Sequence, residues 1–236
     1  MVDSVPVTGR SLARAAAAAA GLLVALGGLT ACEPLDDAPS FQPPPAGEVD
    51  APGEVDAPGD AAAASAQLDT LTVAEWAPMT GYSRDRFDHW RSQGESCDTR
   101  DRVLQRDGQG VVVGDDCRIT AGTWFSVYDG LTLTDPRDVD IDHVVPLANA
   151  WRTGAATWTD EQRSAFANDL VRPQLIPVSA SSNRSKGDQD PSQWKPPRRE
   201  YWCTYAQSWI AVKAYWQLSV TADEKAALVE MLDTCS

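Results

Sequence analysis

The chain has 236 residues, with 34 acids against 20 Lys and Arg and a formal net charge of −14. A charge of that sign repels polyanions at long range, so any nucleic-acid site must be a local cluster of bases and not a general electrostatic surface. Only two histidines are present, too few for the imidazole-rich zinc centre of many cell-wall hydrolases.

The N-terminus reads as an address. Arg10 and Arg14 precede an almost unbroken run of small apolar residues, Ala15 to Ala31. A basic start followed by such a run predicts an export signal over residues 1–32. The run is short for a spanning helix. Its ending, Leu29-Thr30-Ala31-Cys32, resembles a bacterial lipobox, which implies lipidation of Cys32. An ordinary signal peptide and an uncleaved anchor are the competing readings, and all three export the rest of the chain. The expected location is the outer face of the bacterial cytoplasmic membrane, touched only through the lipid on Cys32, or the medium outside.

Residues 33–66 are Pro, Ala, Gly and acid, with eight acids, no bases and a tandem Gly-Glu-Val-Asp-Ala-Pro hexad. Such a segment has too little apolar surface to offset chain entropy and is expected to be a disordered tether. As a coil it would span roughly 30 Å.

The remaining segment, 67–236, is the size of one domain. It holds all nine tryptophans and carries 25 acids against 18 bases. Its four cysteines are an even number in an exported domain, which points to two disulfides. Three pairings are open. Cys97–Cys117 and Cys203–Cys235 are favoured because each pair brackets one compact segment.

Leu68, Leu71, Val73 and Trp76 begin an ordered entry. Tyr82 to Trp90 comes next with two arginines and His89, read as a packing or surface histidine. Arg100 to Leu104 reads as a short helix or strand. Thr123 to Tyr128 is aromatic and β-branched, Asp129-Gly130 is a tight-turn pair, and Leu131 to Leu133 returns, so a hairpin is predicted. Val139 to Val145 reads as a strand stopped by Pro146, and Leu147 to Thr153 as a helix. Thr159 to Gln162 resembles a capping box opening a helix through Leu170. Leu175 to Val178 is extended, and the serines after it can cap a short helix. Arg199 to Leu218 is a long helix with Trp202, Trp209 and Trp216 at seven-residue spacing, read as a core stripe. Thr221 caps a last helix, completing a C-terminal helical hairpin.

Three blocks carry chemistry: Asp140-Ile141-Asp142-His143-Val144-Val145-Pro146-Leu147, then Phe166-Ala167-Asn168-Asp169-Leu170, then Ser181 to Asp188. In this order they resemble the HNH endonucleases, and within them the C-terminal domain of GmrSD-type restriction enzymes. The resemblance spans Tyr82 to Cys235. It implies an α+β fold in which a β-hairpin and a helix, the ββα-metal core, grip one metal ion, with additional helices around it.

It also implies roles. His143 is the general base and Asp142 a metal ligand. Asn168 holds the His-bearing loop. Asn183 stands where the last histidine of the pattern would be and serves as the second ligand. That replacement favours Mg²⁺ or Mn²⁺ over metals that prefer imidazole. Asp140 orients a ligand or bound water. Arg184 and Lys186 hold phosphate, at the start of a stretch to Arg199 with five bases against two acids. The implied reaction is metal-dependent hydrolysis of DNA, with RNA also admitted, at low sequence specificity and by a monomer. The alternatives are a catalytically silent surface lipoprotein that binds a polymer or protein, and a cell-wall hydrolase, which would need a paired-carboxylate or zinc site.

Overall fold

The computed structural model describes residues 60–235. The export signal, Cys32 and most of the tether lie outside the described residues.

The fold begins earlier than the composition suggests. Asp60 accepts from the Ala62 backbone N–H at 2.7 Å and caps α1, Ala61–Thr70. The last residues assigned to the tether are therefore helical. An alanine run has the highest helix propensity, and burial of Ala64 and Leu68 supplies the packing that the run alone lacks.

A three-stranded antiparallel sheet comes next, after α2, Thr99–Asp107. Its order is β1 (Gln109–Val113), β2 (Ile119–Phe125), β3 (Thr132–Leu133). β2 and β3 are the two arms of the expected hairpin. Gly130 at the turn has φ +79°, where an L side chain is strained. The Cys97–Cys117 disulfide closes this layer.

β4, Val139–His143, pairs antiparallel with β5, Leu175–Ser179, from Val139 opposite Ser179 to His143 opposite Leu175. The excursion between them carries α3, Leu147–Arg152, and α4, Asp160–Ala167. The capping box of Thr159 and Gln162 is formed, but α4 stops at Ala167, short of the expected Leu170. α5, Ala180–Lys186, comes directly after β5. Mixed α and β elements with small antiparallel sheets are thus present as expected.

The chain ends in α6, Trp202–Tyr215, and α7, Ala222–Leu232, joined by the Cys203–Cys235 disulfide. Both predicted disulfides are formed. Tyr205, Trp209, Val212 and Trp216 are buried in the larger apolar cluster, with Trp151, Phe166 and Met231. A second cluster gathers Val103, Leu104, Trp124, Val139, Ile141 and Leu175. β4 bridges the two: Val139 and Ile141 enter the second, while Val144 and Val145 just past its end enter the first. Among the described residues, no helix is long and apolar enough to cross a membrane.

Candidate active site

Strand geometry sends alternate side chains to opposite faces. On β4, His143 therefore shares a side with Ile141, while Asp140 and Asp142 face the helix that comes after β5. That helix is fixed at its start. Ser179 Oγ accepts from the Ser182 N–H at 3.1 Å. Asp129, in the hairpin turn, accepts from the hydroxyls of Ser179 and Ser182. Partial burial pushes the Asp129 carboxyl up, but hydrogen bonds from Ser126, Ser179 and Ser182 outweigh it and hold the group below its ordinary range.

On α5, Asn183 and Lys186 lie three residues apart and share a face. Asn183 Nδ2 donates to Asp140 Oδ2 at 3.0 Å, leaving the amide oxygen as the end available to the cavity beside it. Lys186 Nζ donates to Asp142 Oδ1 and to the His143 carbonyl, each at 2.9 Å. Lys186 is fully buried. It does not present itself to a phosphate as the sequence suggests, because the face it shares with Asn183 packs on β4. Arg184 stays exposed.

Asp142 is buried and accepts from Tyr128 Oη at 2.6 Å as well. Desolvation pushes its carboxyl up against the opposing pull of Lys186 and Tyr128. Desolvation likewise pushes the Lys186 ammonium down. The carboxylate expected to be a free metal ligand is thus half of a buried ion pair. Tyr128 carries no sequence signal for this role, since it closes an aromatic strand and reads as core.

His143 Nε2 lies 2.9 Å from the Ala167 carbonyl. Ala167 is the last residue of α4, where carbonyls lack an intrahelical partner. The ring therefore donates Nε2–H there and keeps Nδ1 as its lone-pair nitrogen. Burial is the main cause that pushes the imidazole down to about 3. Trp90 covers the ring, with centroids 5.6 Å apart.

Asn168 differs from expectation. It ends α4, but its side chain does not hold the His143 loop. Nδ2 donates to the Asp88 carbonyl, while Oδ1 accepts from the Arg91 N–H, both at 2.9 Å. It holds the segment that carries His89. The backbone carbonyl one residue earlier is what anchors His143.

A cavity of about 270 Å³ is lined by Arg84, Asp142, His143, Asn183 and Arg184, with Tyr82 and Asp188 beside them. A larger hollow of about 590 Å³, lined by Arg106, Phe125, Ile176 and Tyr201, contains none of the candidate residues. Among the described residues, no three of His, Cys, Asp or Glu converge to hold a metal. The donors at the smaller cavity are carboxylate and carboxamide oxygens, a sparse hard set that suits an ion keeping most of its waters. Of the five bases between Arg184 and Arg199, Lys186 is buried, Lys195 pairs with Glu230, and Arg199 lies over Trp202. Arg184 alone of the five lines the cavity.

The model of the GmrSD restriction endonuclease C-terminal domain matches residues 100–231. The chain belongs to this family. The GmrSD C-terminal match includes the blocks around Asp142-His143, Asn168 and Asn183, and it leaves Arg84 and His89 ahead of its start. A protein from Arthroderma benhamiae named "uncharacterized secreted protein" is 55% identical over 175 residues, covering 74% of this chain and 86% of that protein. No solved structure matches the chain.

Proposed function

We propose that this member of the GmrSD C-terminal domain family is an exported endonuclease that hydrolyses phosphodiester bonds. The observation that carries the reading is the convergence of Asp142, His143, Asn183 and Arg184 on one cavity from segments far apart in sequence. Export rests on the N-terminal signal, the two disulfides and the likeness to a protein named as secreted. Lipid attachment at Cys32 is part of the same proposal.

His143 Nδ1 takes a proton from water, whose oxygen attacks phosphorus in line as the bond to the leaving 3′-oxygen breaks. A buried imidazole held near 3 is neutral at neutral pH, and an anionic phosphate beside it raises its basicity. Arg184 neutralises a nonbridging oxygen. A Mg²⁺- or Mn²⁺-type ion would be held by Asn183 Oδ1 and the Asp142 carboxylate shared with Lys186, and would supply neutralisation of the negative charge that grows in the transition state. Asp140 fixes the orientation of the Asn183 amide. Because water is the nucleophile, no 2′-hydroxyl is required, so DNA is the substrate class proposed and RNA is also admitted. No base-reading motif is evident, so cleavage has low sequence specificity, and the chain acts as a monomer.

The second reading is a catalytically silent binding protein, and the closure of Asp142 by Lys186 is the observation that favours it. Incubation with supercoiled plasmid and Mg²⁺ or Mn²⁺, with and without chelator, separates the two. Chelator-sensitive nicking that falls about 10²–10⁴-fold in His143→Ala is expected. Absence of chelator-sensitive nicking, or nicking by the variant at the parent rate, overturns the enzyme reading.

A further inference from the structure

The segment ahead of the family match is built into the cavity. Arg84, in a short 3-10 turn Arg84–Phe87, lines the same cavity as His143, Asn183 and Arg184. Its Nε donates to His89 Nε2 at 3.3 Å. It is exposed and forms no ion pair with a carboxylate among the described residues, unlike Arg86, Arg91 and Arg152 nearby. The outer end of its guanidinium therefore keeps its donors for a ligand.

The backbone around His89 is held in a costly shape. Asp88 has φ 37° and Trp90 φ 64°, a left-handed conformation on each side of the histidine. Non-glycine residues persist there only where the surroundings over-determine them. Here Asn168 grips both sides, at the Asp88 carbonyl and the Arg91 N–H. Ser164 Oγ donates to the same Asp88 carbonyl at 3.2 Å, and Thr99 Oγ1 donates to Asn168 Oδ1 at 2.6 Å. His89 rests on Trp90 with ring centroids 5.3 Å apart, and Trp90 rests on His143. The clamp thus sets the cover of the candidate base and the support of Arg84 together. Burial, then the charge of Arg84, pushes the His89 imidazole down, in keeping with a neutral acceptor.

We infer that Arg84 is a phosphate-holding residue in the same cavity as Arg184, and that His89 is a positioning residue that aims its guanidinium into the cavity. The inference rests on the nuclease reading and adds a residue to that site from outside the family-matched region. An acidic domain needs local cations to hold a polyanion, and two arginines brought to one cavity from segments a hundred residues apart offer a phosphate two sets of donors.

The test is binding of the full chain to a fluorescent DNA oligonucleotide in chelator, measured across NaCl concentrations. Arg84→Ala should weaken binding roughly tenfold or more and lower the salt slope by about one phosphate contact. Arg84→Lys should recover the slope and part of the affinity. His89→Ala should give an intermediate loss that His89→Gln, which keeps an acceptor, restores in part. Arg137→Ala, at an exposed arginine paired with Asp135 away from the cavity, is the control and should match the parent. A parent that binds or nicks DNA while Arg84→Ala keeps its affinity and slope overturns this assignment alone. A parent that neither binds nor nicks overturns the nuclease reading and the assignment with it. His89→Ala at parent affinity beside a weakened Arg84→Ala overturns the positioning role.

Discussion

Lys186 stands one helical turn after Asn183 and, in the linear chain, has the composition of a phosphate ligand. The fold withdraws it: no sequence pattern states that a cation will be matched by Asp142 from a strand more than forty residues earlier. That His143, Asp142, Asn183 and Arg184 would line one cavity could be anticipated because they sit in contiguous blocks that stand in a fixed order along the chain. Tyr128 and Arg84 could not be, because their importance lies in contacts made only after folding. His143 offers a pH test. Its folded value is held near 3 by burial, against about 6.5 for an unfolded chain. The unfolded state therefore binds the extra proton between these values. The stability this group contributes is complete above about 6.5 and is lost as pH falls toward 3, by up to ~1.4 kcal/mol per pH unit. Urea unfolding in chelator from pH 7 to pH 4 should show the parent losing stability faster than His143→Gln. Parallel losses in the two proteins would show that the imidazole is not buried neutral.

Among the elements, those with a local stop or start signal were placed well from sequence. The Thr159 and Thr221 capping boxes and the Ser179 cap are formed where their hydrogen-bonding side chains stand. Where a boundary depends on packing, sequence fails: α1 begins inside the expected tether because α6 and α7 offer it a surface, and α4 ends early because Asn168 turns out to grip the His89 segment. The α6–α7 hairpin is held in two ways. One is the Cys203–Cys235 disulfide. The other is a fully buried ion pair, Lys213 with Glu224 at 2.6 Å, in which Glu224 also accepts from Trp209 Nε1 at 2.6 Å and Lys213 donates to the Ser219 carbonyl at 2.8 Å. Removing one partner leaves the other charge buried and uncompensated. Glu224→Ala should therefore lower unfolding free energy by about 3–5 kcal/mol. The paired Cys203→Ala/Cys235→Ala change should cost roughly 3 kcal/mol through loop entropy. Denaturant midpoints measure both. A Glu224→Ala loss below about 1 kcal/mol would mean that water reaches the pair in solution.

At the scale of the molecule, charge and site pull in opposite directions. The full chain carries −14, yet the proposed substrate cavity is lined by Arg84 and Arg184. Long-range repulsion slows encounter with a polyanion and is itself screened by salt. Added salt therefore weakens the two local contacts while relieving the general repulsion. Two phosphate contacts on duplex DNA correspond to a slope of about −1.8 in log affinity against log salt concentration, and the relief of repulsion makes the observed slope shallower still. The affinity of the full chain for a duplex oligonucleotide in chelator should accordingly fall only modestly between 50 and 200 mM NaCl, by about tenfold at most. A basic DNA-binding domain making six or more contacts would lose roughly a thousandfold or more over the same range. A slope steeper than about −4 would mean that the substrate is held by cations other than the two arginines at the cavity, and the placement of the substrate there would have to be abandoned.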